Sequence, residues 1–85
     1  MKQRLEPVHV EVDGQGVPLR LVWRGRPYRV LAIEDSWRYA GRWWVDGRGW
    51  RRAYFRVTAR NSRGHTLTLE VFRQSANWVL SRECD

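Results

Sequence analysis

The sequence predicts an all-β domain: a small twisted antiparallel sheet or partly open barrel of SH3-like size, with about six strands. Three observations carry that expectation. Apolar residues recur with period two along most of the chain, turn signals separate the runs at short intervals, and no stretch sustains a helical period. Closing a small sheet on itself removes exposed edges, so short strands at this spacing argue for a barrel. The length of 85 residues sets a single domain over 1–85. A chain this short buries only about 60–65% of its unfolded surface, which leaves no room for a large enzyme cleft.

The strands follow in order. Val8, Val10 and Val12 alternate with His9, Glu11 and Asp13, and Asp13-Gly14-Gln15-Gly16 then turns the chain. Leu19, Leu21 and Trp23 alternate with Arg20, Val22 and Arg24 in a second strand that stops at Gly25-Arg26-Pro27, completing a hairpin. Tyr28 to Asp35 is continuous and apolar at Val30-Leu31-Ala32-Ile33, which suits a strand covered on both faces. Ser36 to Gly49, broken by Gly41, Gly47 and Gly49, reads as a long hairpin loop carrying Trp37, Tyr39, Trp43 and Trp44. Alternation returns from Trp50 to Arg60, with Ala53, Phe55, Val57 and Ala59 on one face and Trp50, Arg52, Tyr54 and Arg56 on the other. After the turn Asn61-Ser62-Arg63-Gly64, His65 to Arg73 forms a strand with Leu67, Leu69 and Val71 on one side, and Asn77 to Arg82 closes the sheet. The hydrophobic face expected from this register comprises Val10, Val12, Leu19, Leu21, Val30, Ala32, Phe55, Val57, Leu67, Leu69 and Leu80.

Composition narrows the function classes. Aromatics make up 13% of the chain and hydrophobic residues 42%, unlike disordered chains, which are poor in rings. Sixteen cations against nine acids give a net charge of +7, and fifteen of the sixteen are Arg. A GC-rich genome raises Arg everywhere, so the distribution is more telling: twelve Arg face three acids between Arg20 and Arg63. A basic centre attracts polyanions, and the planar guanidinium fork pairs with phosphate bidentately.

Enzymatic constellations are nearly absent, and the chain reads as a non-enzyme. His9 and His65 have no Cys or second His at ligand spacing, so neither a metal nor another cofactor is expected. The adjacent Glu34 and Asp35 would point to opposite faces of a strand and could not share a proton. No nucleophile elbow or phosphate loop is present. The lone Cys84 forms no intrachain disulfide and suits a reducing compartment. Apolar runs such as Val30 to Ile33 fall far short of the roughly 20 residues of a membrane span, and Met1 to Glu6 has no apolar signal core, so a cytoplasmic protein without membrane contact is expected.

The candidate site comes from the Arg and aromatic pattern. Consecutive Trp43 and Trp44 cannot enter the same core from extended chain, which leaves one of them near the surface. On the following strand Trp50, Arg52, Tyr54 and Arg56 interleave rings with guanidinium groups at a spacing of about 6.5–7 Å. With Arg42, Trp43, Trp44 and Arg48 they form the expected binding set. Single-stranded nucleic acid asks for such a surface, because bases stack on rings while Arg tracks phosphates. Ordinary cation–π packing and a peptide or sugar groove are the alternatives the same pattern allows.

Three stretches, Gly41-Arg42-Trp43-Trp44, Trp50-Arg51-Arg52-Ala53-Tyr54-Phe55-Arg56-Val57 and Trp78-Val79-Leu80 close to Asp85, together resemble the small C-terminal module of ImuB-type proteins, inactive relatives of Y-family DNA polymerases. They also resemble the free-standing bacterial domain of unknown function related to it. The likeness covers about Trp37 to Asp85, with Arg26-Pro27-Tyr28-Arg29-Val30 similar to the upstream strand of the free-standing form. The sequence departs from the pattern at Ala53, where the module usually has an acid, and at Cys84, where an aromatic precedes the last Asp. The resemblance implies an accessory factor in bacterial DNA-damage tolerance. Its partner would be nucleic acid, or a translesion polymerase or clamp protein anchored by exposed Trp residues.

Overall fold

Two turns with the same wiring frame the sheet. Asp13 Oδ1 accepts hydrogen bonds from the backbone N–H of Gln15 and Val17 at 2.8 and 3.0 Å, and Asn61 Oδ1 does the same for Arg63 and His65, both at 2.9 Å. In each, the residue three further on is a glycine with positive φ, Gly16 at 82° and Gly64 at 84°, a conformation that costs glycine little. A third, two-residue turn holds Arg24 and Gly25 both at positive φ, the geometry that matches strand twist.

The structure, a computed structural model, describes residues 2–42 and 49–84. Between the turns run β1 (Lys2–Pro7), β2 (His9–Val12), β3 (Pro18–Trp23), β4 (Arg26–Arg42), β5 (Gly49–Asn61), β6 (Thr66–Gln74) and β7 (Asn77–Cys84). All pair antiparallel in the order β1-β7-β6-β5-β4-β3-β2. The all-β expectation is met, and no helix occurs among the described residues. Among these residues no helix is therefore long and apolar enough to cross a membrane.

β1 and β2 are the two opposite edges of this sheet, yet only Val8 separates them. One residue cannot span a flat seven-stranded sheet, so the sheet curls into a half-barrel until its edges approach. Val8 is buried at the meeting point and its N–H donates to the Trp78 carbonyl at 3.2 Å. Side chains fasten the seam. Glu6 on β1 accepts from Trp23 Nε1 at 3.2 Å and from the Arg24 fork at 2.9 and 2.8 Å, although β1 and β3 share no ladder. The guanidinium groups of Arg4 and Arg24 lie 5.8 and 4.9 Å from the Trp23 ring, and Arg4 also pairs with Glu83 at 3.0 Å.

The Arg24 hydrogen bonds hold the Glu6 carboxyl below its ordinary 4.5. A group with a depressed folded pKa contributes stability that is present above its unfolded value and lost as pH falls through the folded one. Below pH about 4.5 the denaturant midpoint of the native protein should fall more steeply than that of the Glu6→Gln variant. Parallel pH profiles for the two proteins would remove Glu6 from the seam.

The core under the curl joins Leu21, Trp23, Tyr28, Val57, Ala59, Leu69, Val71 and Leu80, with Phe55, Leu67, Val30, Val10 and Trp78 packed against it. Val12, Leu19 and Ala32, expected inside, are exposed: Val12 lies on the edge strand β2, Leu19 is the extra residue of a bulge between Glu11 and Val12 of β2 and Arg20 and Pro18 of β3, and the shift at Leu31 turns Ala32 to the face of Thr58. Among the described residues the strand count is seven, because Lys2–Pro7 is also a strand. Ser36 to Arg42 continues β4 instead of forming a loop. Nor is Tyr28 to Asp35 covered on both faces: Leu31 and Ile33 are exposed. Register shifts between Val30 and Ala32 and between Ile33 and Asp35 mark bulges that bend β4. The second bulge brings Glu34 and Asp35 to one face, with Glu34 accepting from Thr58 Oγ1 at 2.9 Å and Asp35 opposite Arg56.

Candidate functional site

Along β5 the inward residues Val57 and Ala59 are fully buried, which places the even-numbered residues Arg52, Tyr54, Arg56, Thr58 and Arg60 on the outer face. Register then decides their neighbours. Tyr54 lies between Trp37 on β4 and Phe72 on β6. Trp37 and Tyr54 stack with centroids 5.2 Å apart and planes 6° from parallel, and Tyr54 and Phe72 lie 5.0 Å apart at 38°.

Guanidinium groups bracket this ladder of rings. The Arg52 fork lies 4.5 Å over Phe72, donates to Gln74 Oε1 at 2.9 Å and reaches the Tyr54 hydroxyl at 3.1 Å. On the other side Arg56 is 5.7 Å from the Trp37 ring and donates twice to Glu70 Oε1, at 3.2 and 2.9 Å. Glu70 is buried, and its second oxygen faces Arg82 Nε at 3.0 Å. The Glu70 hydrogen bonds hold the Arg56 guanidinium above its ordinary value. The interleaving expected of Arg52, Tyr54 and Arg56 therefore exists. Both cations already have protein partners, and Phe72 is covered. Tyr39, opposite Arg52 and 58% exposed, is the ring of this face most open to solvent among the described residues.

The remaining predicted residues are placed less fully. The backbone of Arg42 pairs with Gly49 and that of Trp50 with Gly41, at the end of the hairpin. Trp43, Trp44 and Arg48 lie outside the described residues. Sequence reasoning missed Trp37, Tyr39, Phe72 and Glu70 as members of the face. The signal was available in the β5 alternation, had the strand before Gly41 been paired with it.

Farther along the outer face lies a second arrangement. Arg20, Arg29 and Arg60 stand directly opposite one another on β3, β4 and β5. Sheet spacing of about 4.8 Å between strands makes this a row of three cations, and like charges opposite one another destabilise a sheet. At one end Arg20 meets Glu11 in an exposed pair at 3.6 Å, and Arg60 Nε donates to the Gly64 carbonyl at 3.4 Å. No described acid faces Arg29 within ion-pair distance. The row borders a groove of about 720 Å³ whose other walls include Leu19, Tyr28 and Leu31.

No three His, Cys, Asp or Glu side chains gather as a metal set among the described residues. Cys84 is free and half-buried. The chain belongs to the DUF6504 family, a domain of unknown function, matched over residues 1–85. Comparison with curated proteins and with solved structures finds no match.

Proposed function

From membership of a family defined without an activity, we propose that this domain is a non-enzymatic accessory module that binds single-stranded nucleic acid on the outer face of its half-barrel. The observation that carries the reading is the Arg20-Arg29-Arg60 row. Three opposed cations with one weakly placed acid favour a polyanion, whose phosphates relieve their repulsion. Arg52 to Arg60 spans about 26 Å of strand at 3.3 Å per residue, so one strand of nucleic acid can meet the row with its phosphates and Tyr39 with a base. Trp43, Trp44, Arg42, Arg48 and Trp50 belong to the proposed surface on sequence grounds. The resemblance to the ImuB-type module supports a cytoplasmic role in bacterial DNA-damage tolerance.

A second reading, recruitment of a translesion polymerase or clamp partner, is favoured by half-exposed Leu19 and Leu31 beside the Arg row. Titration of single-stranded oligonucleotides over a salt series separates the two. About four phosphate contacts should give a log–log slope near −3, at roughly −0.7 per contact, with Trp fluorescence quenched on binding. Weak binding that vanishes at physiological salt without a quench would favour the protein partner.

A further inference from the structure

The inward face of the same hairpin carries another cationic cluster, beyond the end of the core. Ala53 on β5 pairs with Arg38 on one side and Arg73 on the other. Two long cationic side chains thus flank one methyl group, with their Cα atoms about 10 Å apart at ordinary strand spacing. Arg51, two residues from Ala53, shares the face. These residues and Ser75, with Tyr39 and Arg52 at the border with the outer face, line a groove of about 550 Å³ to which no described carboxylate contributes.

The cluster contrasts with the arginines that are already paired. Arg4, Arg20, Arg24, Arg56 and Arg82 all have carboxylate partners. Arg38, Arg51 and Arg73 are exposed, and among the described residues none of them enters an ion pair or a side-chain hydrogen bond. Ser75 adds a second observation. It opens the two-residue turn between β6 and β7 at φ 57°, where glycine is the unstrained choice, and it lines the groove.

We propose that Arg38, Arg51, Arg73 and Ser75 form a site for a phosphate monoester, distinct from the Arg20-Arg29-Arg60 row. A monoester carries between one and two negative charges at neutral pH and three acceptor oxygens. The forks of Arg38 and Arg73 approach it from two sides above the Ala53 methyl, Arg51 approaches along the strand, and the Ser75 hydroxyl donates from the rim. A longer side chain at position 53 would fill this space. The monoester can be a free mononucleotide or the terminal phosphate of a nucleic acid strand.

The test follows the arginine Nε–H signals of the ¹⁵N-labelled full chain by NMR during titration with inorganic phosphate and with a nucleoside 5′-monophosphate, against chloride at equal ionic strength. The Arg38, Arg51 and Arg73 signals should shift saturably with phosphate and not with chloride. Ala53→Glu should weaken phosphate binding at least about tenfold, because a carboxylate takes up the same forks, whereas Arg29→Ala/Arg60→Ala should leave it unchanged. If Ala53→Glu does not fold, Arg38→Gln/Arg73→Gln at two exposed positions serves in its place. Unchanged phosphate affinity in the folded variant, or equal shifts with chloride, overturns the site. Oligonucleotides with 5′-phosphate and 5′-hydroxyl ends identify the source: tighter binding of the former, lost in Ala53→Glu, assigns a strand end, and equal binding assigns a free monoester. Saturable phosphate binding without any oligonucleotide binding would uphold this site while refuting the outer-face reading.

Discussion

Leu80→Ala should lower the unfolding free energy by about 2–5 kcal/mol and the midpoint of thermal unfolding by on the order of 10–30 °C. Leu80 is fully buried on β7, opposite Val71 on β6 and Glu6 on β1. It therefore fills the layer between the main sheet and the strand that closes it. Truncation removes three carbon atoms from a place where close-packed neighbours relax only partly, so lost transfer energy and a residual cavity act together. A domain of this length has a total stability of roughly 4–13 kcal/mol, and at the low end the variant would be largely unfolded at room temperature. Leu19→Ala is the matched control. The same change at a half-exposed bulge position should stay within about 0.5 kcal/mol. Equal midpoints for the two variants, by circular dichroism, would mean that the core is not where this register places it.

Arg29→Ala/Arg60→Ala should move stability and binding in opposite directions. Removing two cations from a row of three relieves cross-strand repulsion of about 0.2–1 kcal/mol per opposed pair, so the free variant should be as stable as the native protein or slightly more so. The same change deletes two phosphate contacts. At roughly −0.7 in slope per contact, the salt slope should shrink by about 1.4 and affinity at 50 mM salt should drop about 60-fold, uniformly across sequences. Arg52→Ala/Arg56→Ala gives a less clean comparison. Those side chains cover Phe72 and neutralise buried Glu70, so part of any lost binding would reflect a loosened fold. Intact affinity and slope in the Arg29/Arg60 variant, with its fold preserved, would refute the nucleic-acid face.

What was legible in the sequence was the part governed by strict alternation. Along Trp50 to Arg60 no bulge intervenes, so Val57 and Ala59 face inward and Arg52, Tyr54 and Arg56 outward, as the period of two requires. β4 defeated the same reasoning for two physical reasons. Bulges at Leu31 and Glu34 shift the phase within a single strand, and Gly41, read as a breaker, is held in the ladder by Trp50 across from it. With β4 cut short at Asp35, Trp37 and Tyr39 lost their partners, and half of the aromatic ladder went unseen. β1 was missed because Lys2 to Pro7 is mostly polar, and its apolar exception, Leu5, stands at positive φ and points to solvent. Its place in the sheet is fixed by backbone pairing with β7 and by Glu6, neither of which leaves a hydrophobic pattern. The guanidinium row was equally hidden, because Arg20, Arg29 and Arg60 become neighbours only through the register of three strands.

The single residue between β1 and β2 also bears on how the chain reaches this state. From β2 to β7 each strand pairs with the next along the sequence, so that meander can assemble by short steps. β1 is different, because its partner β7 is the last strand to be made, with Lys2 opposite Glu83. Bringing such distant segments together carries the largest loop-closure entropy in the molecule, and sheets that depend on remote pairing fold on the slower scale of milliseconds to seconds. On a ribosome the open edges of β2 and of the growing meander stay unprotected until synthesis reaches the C-terminal strand. The pairing of β1 with β7, and with it the bond from Val8 N–H to the Trp78 carbonyl, has to wait for that strand, whereas Glu6 lies within 18 residues of Trp23 and Arg24.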